Sequence, residues 1–195
     1  MLLASLKTIA VDLDDTLNNF TQTLRATHFA YHERYAISPA AFDEYLARLR
    51  TDPRAVEELL STEFAYFRQK IHLECYRRAE ARADGIAFMQ WLKREGWRIV
   101  ICTHRDLRTA YDATKAWLEQ NQIPFDYIFR AGNKIVFCKL WGIDILVDDN
   151  LFNILYGGQY GVRVFYPLND DNRTMHEDGA RGFETFDQLK PWIAE

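Results

Sequence analysis

The sequence predicts an α/β fold: a doubly wound, Rossmann-type parallel sheet with a small helical cap inserted after its first strand. Three observations predict it. Short apolar runs bounded by polar residues recur at LKTIAV (6–11), WRIVIC (97–102), IDILV (143–147) and VRVF (162–165), as strands buried on both faces do. From residue 84 onward these runs alternate with segments of helical character, and regular βα alternation builds a parallel sheet with helices on both faces. Residues 18–83 differ in character. They are rich in Ala, Glu, Arg, Leu and aromatics and contain no Gly. The predicted division is therefore 1–17 and 84–195 as the α/β core and 18–83 as the cap.

Each element follows in order. Leu6–Val11 is the first strand. Helices are expected over about 18–36, 39–50, 53–60 and 61–82. Ser38-Pro39 and Asp52-Pro53 each place a capping residue before a proline at the first helical position. Phe64, Phe67, Ile71 and Cys75 follow helical spacing. Asp84–Glu95 is a helix stopped by Gly96, and Trp97–Cys102 a strand. Asp106–Asn121 is a helix. A short strand near Tyr127–Phe129 comes after Pro124. Asn133–Trp141 is a helix ended by Gly142, and Ile143–Val147 a strand. Leu151–Tyr156 is a short helix closed by Gly157-Gly158, Val162–Phe165 a last strand, and Phe186–Ile193 a final helix. The polar stretch Leu168–Gly182 is expected to be a loop.

Composition narrows the function. The chain has 195 residues, 48% of them hydrophobic and 27% charged, which suits a globule and opposes wholesale disorder. Its 24 basic and 28 acidic side chains give a net charge of −4, without the basic excess of a nucleic-acid binder. A small phosphorylated ligand needs only local positive charge. No apolar run approaches the roughly 20 residues that span a bilayer, so no membrane partner is expected. The opening MLLASLKTIAV lacks a basic signal-peptide start and reads as the first strand. Three scattered cysteines (75, 102 and 138) make neither a disulfide framework nor a zinc site, and a reducing, cytoplasmic setting is expected.

In open parallel sheets ligands bind beyond the carboxyl ends of the strands. Asp12, Asp14, Asp15 and Thr16 follow the first run. Thr103, His104 and Arg105 follow the second, and Asp148, Asp149 and Asn150 follow IDILV. Lys134 opens a helix. Acidic groups gathered at one rim need a positive partner. Oxygen ligands with a substrate phosphate suit Mg²⁺. An aspartate is a competent nucleophile for phosphoryl groups. A second carboxylate two residues on lies on the same face of an extended strand and can protonate the leaving alcohol and activate water. Lys134 and the Thr103 hydroxyl would hold the phosphoryl oxygens.

These residues resemble the haloacid dehalogenase-like hydrolases. D-L-D-D-T-L at 12–17 is similar to the first motif of that family, Thr103 after I-V-I-C to the second, Lys134 in G-N-K to the third, and D-D at 148–149 after I-L-V to the fourth. The resemblance implies Asp12 as nucleophile and Asp14 as acid/base. It implies Mg²⁺ held by the Asp12 side chain, the Asp14 main-chain carbonyl and Asp148, with Asp149 supporting. The cap position and V-D-D-N resemble the 5′(3′)-deoxyribonucleotidase-like branch, which implies a nucleoside monophosphate as substrate. Asp15 stands where that branch has Gly, and His104 where it has Ser. A phosphatase of another small metabolite, such as a sugar or amino-acid phosphate, and a non-catalytic binding module are the other functions weighed.

Plainer roles compete at several positions. Asp12 and Asp14 also suit a turn and helix cap, and Thr103 a cap for the next helix. Lys139 competes with Lys134 for the phosphate. His104 and Arg105 are either phosphate or substrate contacts at the rim or a solvated pair. Phe20, Tyr31, Tyr45, Phe64 and Tyr66 either stack on a base or fill the cap core. Asn150 either meets the metal's waters or caps a helix.

Overall fold

The computed structural model describes residues 7–35, 40, 44, 47 and 71–194, with side chains described at 7–27 and 71–194 and at the three isolated positions. The expected helix 53–60, most of 39–50 and residues 61–70 lie outside the described residues. So do Tyr45, Phe64, Tyr66 and Phe67 and the side chains of His28, Tyr31 and His32. Numbered along the described residues, the elements begin with β1 (Thr8–Val11), α1 (Phe20–Tyr35), α2 (His72–Arg78) and α3 (Ala83–Arg94). Next come β2 (Arg98–Thr103), α4 (Leu107–Gln120), β3 (Tyr127–Arg130) and α5 (Lys134–Trp141). The chain continues through β4 (Ile145–Val147), α6 (Leu151–Tyr156), β5 (Arg163–Pro167), β6 (Ala180–Phe183) and α7 (Leu189–Ala194).

The sheet is six-stranded and wholly parallel, in the order β3-β2-β1-β4-β5-β6. It is the doubly wound α/β sheet that the alternation predicts. Period-two alternation sorts its side chains. Ile9, Val11, Ile99, Ile101 and Val147 face one layer with Phe88 and Leu92 of α3, Trp117 of α4 and Leu189 of α7. Ala10, Val100, Cys102, Leu146 and Val164 face the other, with Ile135 of α5 and Ile154 of α6. α2, which the sequence places in the cap, packs against α1 and α4. The Trp117 indole of α4 donates to the Ala79 carbonyl just past α2 at 2.7 Å.

One element was missed. β6 lies in the stretch expected to be a loop, because Ala180-Arg181-Gly182-Phe183 is an edge strand with only Phe183 fully buried. Such a strand shows no apolar run. Pairing with β5 and a residue without Cβ at 182 make it: a methyl there would come within 2.5 Å of Leu168. The final helix opens with a 3-10 turn, Phe186–Gln188, fixed by a Thr185/Gln188 capping box. All three cysteines are free and buried. No helix among the described residues is long and apolar enough to cross a membrane.

Candidate active site

The strand order reverses direction at β1. The chain runs from β1 outward to β2 and β3, then returns to the opposite side as β4. The crevice between β1 and β4 is the switch point where such sheets bind ligands. The Asp12 N–H donates to the Val147 carbonyl at 2.9 Å, and the Asp148 N–H to the Phe165 carbonyl at 3.0 Å. These bonds carry the ladder just past the strand ends and aim both side chains into the crevice.

There Asp12, Asp148 and Asp149 each bring a carboxylate oxygen within 4.8 Å of the others. Asp148 is fully buried and Asp12 nearly so, and Asp149 is half-buried. The Lys134 ammonium lies among them, 2.5 Å from Asp148 Oδ2 and 2.9 Å from Asp12 Oδ2. Lys134 stands at the first position of α5, whose cap is Asn133, and its side chain is 1% exposed. Lys139 is exposed on the same helix, so the two lysines are separated: only Lys134 reaches the carboxylates. Asp148 Oδ1 accepts from the Asn150 N–H at 2.8 Å and the Asn153 amide at 3.1 Å. Asp149 accepts from the Thr16 hydroxyl at 3.2 Å.

The electrostatics follow from burial. Desolvation, opposed by Lys134, pushes Asp12 up to about 7. Desolvation and the neighbouring Asp148 and Asp12 drive Asp149 well above the carboxylate range. Burial alone would lower Lys134, but Asp12 and Asp148 outweigh it and hold the ammonium charged. His104, at the rim beyond β2, is lowered to about 4 by burial and then by Lys134, so its imidazole is neutral at pH 7.

Asp14 takes a different place. Its carboxylate is gripped by Arg105, whose Nε donates to Oδ2 at 2.9 Å and Nη2 to Oδ1 at 2.5 Å. The acidic cluster thus consists of Asp12, Asp148 and Asp149 side chains. Asp149, expected as a supporting group, stands inside it. Arg105, read from sequence either as a phosphate or substrate contact or as half of a solvated pair, is inward-facing and 2% exposed, which removes the solvated alternative. From the β2–α4 connection its side chain reaches Asp14 and the Thr114 hydroxyl of α4.

The turn after β1 settles the capping question. Leu13 accepts the N–H groups of Thr16, Leu17 and Asn18, and Asp15 adopts a left-handed φ of 59°. Asp15 repays that strain by accepting from the Thr21 N–H at 2.8 Å and from the Thr21 hydroxyl, at the start of α1. Asn18 accepts from the Phe20 N–H at 3.0 Å and donates to Asp14 at 3.3 Å. Asp15 and Asn18 therefore cap the helix, which leaves Asp12 to the crevice and Asp14 to Arg105. Asp106, not Thr103, caps α4, and Asn150 caps α6. Thr103 is buried at the end of β2, next to β1, and its hydroxyl accepts from the Arg105 N–H at 3.2 Å. Phe20 is stacked on Tyr76 with ring centroids 5.1 Å apart and is not open to a ligand.

Sequence reasoning missed Asn153, Tyr76 and Thr114. The first bonds Asp148 and the last two contact Arg105. Each is an ordinary helix or turn residue by pattern; only Asn153, a polar residue on the apolar face of LFNILY, carried a visible signal.

No known sequence family matches the chain, and no curated protein does. Solved structures do. A haloacid dehalogenase-like hydrolase from Streptococcus pneumoniae superposes with a TM-score of 0.70 at 16% identity, over 98% of this chain and 100% of that one. The CbbY protein of Rhodobacter sphaeroides, solved with phosphate, has a TM-score of 0.68 at 15% identity, over 95% and 96%. A haloacid dehalogenase-type hydrolase from Bacillus subtilis, bound to magnesium, has a TM-score of 0.67 at 14% identity, over 97% and 99%. A defluorinating L-2-haloacid dehalogenase shares the architecture too. The fold is that of the haloacid dehalogenase-like hydrolases.

Proposed function

We propose that this protein is a Mg²⁺-dependent phosphomonoester hydrolase working through an aspartyl-phosphate on Asp12. One observation carries the reading: three carboxylates and one buried lysine converge at the switch point of a sheet shared with phosphate- and magnesium-binding hydrolases.

The donor set fits a hard divalent cation. Three carboxylates face one ammonium, and the upward shifts of Asp12 and Asp149 come first from burial and then from their carboxylate neighbours. Asp12, Asp148 and the Asp14 main-chain carbonyl would hold Mg²⁺, with Asp149 beside them, and the ion would supply positive charge against the incoming phosphate. Asp12 Oδ attacks phosphorus as the ester P–O bond breaks, and Asp14 gives a proton to the departing alkoxide. Asp14 then takes a proton from water as its oxygen attacks the aspartyl-phosphate, which releases phosphate and regenerates Asp12. Lys134 and the Thr103 hydroxyl bind the phosphoryl oxygens, and neutral His104 contributes hydrogen bonding at the rim. Residues 18–83 act as the cap, excluding water and reading the leaving group.

The substrate is a small phosphorylated metabolite, with nucleoside monophosphates the first class to test. The three buried thiols suit a reducing cytoplasm. Halide leaves without a proton, so dehalogenation would give Asp14 no task in leaving-group departure. The test is Asp12→Asn assayed on an aryl phosphate with Mg²⁺. Hydrolysis should vanish while the fold survives, and full activity in the variant refutes the mechanism. A panel of nucleotides, sugar phosphates and a 2-haloacid assigns the substrate.

A further inference from the structure

Arg105 has no task in the chemistry above, yet it is among the most thoroughly held side chains of the crevice. Its side chain is 0% exposed. Nε and Nη2 form a two-pronged contact with both oxygens of Asp14, and Nη1 donates to the Thr114 hydroxyl of α4 at 3.1 Å. The Tyr76 ring of α2 lies against the guanidinium, 4.0 Å from its centroid. Tyr76 stacks on Phe20 at the start of α1, and Phe20 meets His72 edge-on at 5.4 Å. The Arg105 peptide N–H is tied to Thr103 Oγ1. The guanidinium is thus fixed at once by Asp14 in the turn after β1, by α2 and by α4.

We propose that Arg105 is the positioning residue for Asp14: it locks that carboxylate in one plane beside the Asp12–Asp148–Asp149 cluster and ties its placement to α2 and α4. The inference rests on the phosphatase reading and goes beyond it. A planar fork fixes both the position and the plane of a carboxylate, which a point charge such as lysine does not. Asn18 adds only one longer bond, at 3.3 Å. A group that moves protons to and from a substrate oxygen must sit within hydrogen-bond reach of it, and a displacement of about 1 Å costs on the order of 100-fold in rate. Burial and the ion pair also separate Arg105 from direct substrate contact.

The test compares kcat/KM for two esters in Arg105→Lys, Asp14→Asn and the wild type. This constant covers only the steps through leaving-group departure. p-Nitrophenyl phosphate expels a stable anion that needs no proton, whereas β-glycerophosphate expels an alkoxide that does. In Arg105→Lys the β-glycerophosphate value should fall by about 100-fold or more and the p-nitrophenyl value by less than about 10-fold, matching the pattern of Asp14→Asn. Equal losses on both esters, or no loss on either, overturn the positioning role while leaving the phosphatase reading intact. A wild type inactive on every phosphate ester removes the phosphatase reading and the positioning role with it. Should Arg105→Lys fail to fold, Tyr76→Leu carries the test: it removes the ring beneath the guanidinium, keeps the ion pair, and should show the same leaving-group bias in weaker form. A uniform loss there overturns the proposal.

Discussion

Lys134 offers a sharp perturbation, because replacing it with Met keeps most of the side-chain volume and deletes the charge. The ammonium is 1% exposed and contacts Asp148 at 2.5 Å and Asp12 at 2.9 Å. Breaking a buried pair by removing one partner costs about 3–5 kcal/mol, because the remaining charge is stranded. In a chain of this size each kcal/mol lowers Tm by roughly 2–4 °C, so a loss of about 6–20 °C is expected. That loss should be largest in chelator and partly recovered with saturating Mg²⁺, since a divalent ion can neutralise the same carboxylates. Turnover of an aryl phosphate should fall by about 10²–10³, the effect of removing one preorganised contact to developing negative charge. Thermal unfolding with and without Mg²⁺ measures the first effect, and steady-state kinetics the second. Lys139→Met is the control. Lys139 is exposed, and its loss should stay within about 0.5 kcal/mol. The reasoning is refuted if Lys134→Met matches the wild type in both assays, or if Lys139→Met proves the more damaging change.

Three further outcomes follow from particular contacts. Asp15→Gly should keep the left-handed backbone but lose the Thr21 cap, at about 1 kcal/mol. Asp15→Ala should add about 1–2 kcal/mol of backbone strain, so urea unfolding must rank wild type above Gly above Ala, and a reversed order of the two variants sinks the account. In metal-free protein Asp12 keeps its proton up to about 7, whereas in the unfolded chain it ionises near 3.8. Between those values the native state binds the extra proton, so this contribution to stability is full below the window and is lost as pH rises through it. Asp84 and Asp126 are lowered, despite their burial, by backbone N–H bonds and basic neighbours, and they tilt the curve the other way. The difference between wild type and Asp12→Asn across the window isolates the Asp12 effect, and no difference contradicts it. Trp117→Phe should cost about 1–3 kcal/mol in chemical denaturation by leaving the buried Ala79 carbonyl without its indole donor; a neutral result would show that the bond does not matter.

Much of this protein is legible in one dimension. Buried parallel strands are covered on both faces, so they write themselves as apolar runs. The residues immediately after IAV, VIC and ILV must then meet at one rim, because parallel strands all point the same way. That is why Asp12, Thr103 and Asp148 could be placed from sequence, and why glycine marked the ends of α3, α5 and α6. The edge strand β6 left no such mark, since it buries little and is made by pairing with β5.

Side-chain partnerships were decided only in three dimensions. Nothing local in T-H-R separates a solvated arginine from one buried against Asp14, 91 positions earlier. Nothing in K-I-V-F-C-K separates Lys134 from Lys139 except the phase of α5 against the sheet. A strand's hydrophobicity is a property of its own residues, but the partner of a buried charge is set by whichever distant backbone the fold brings within 3 Å. The sequence determined where the carboxylates would emerge. The packing of α4 and α5 against the sheet, and of α2 against α4, decided which cation each of them would meet.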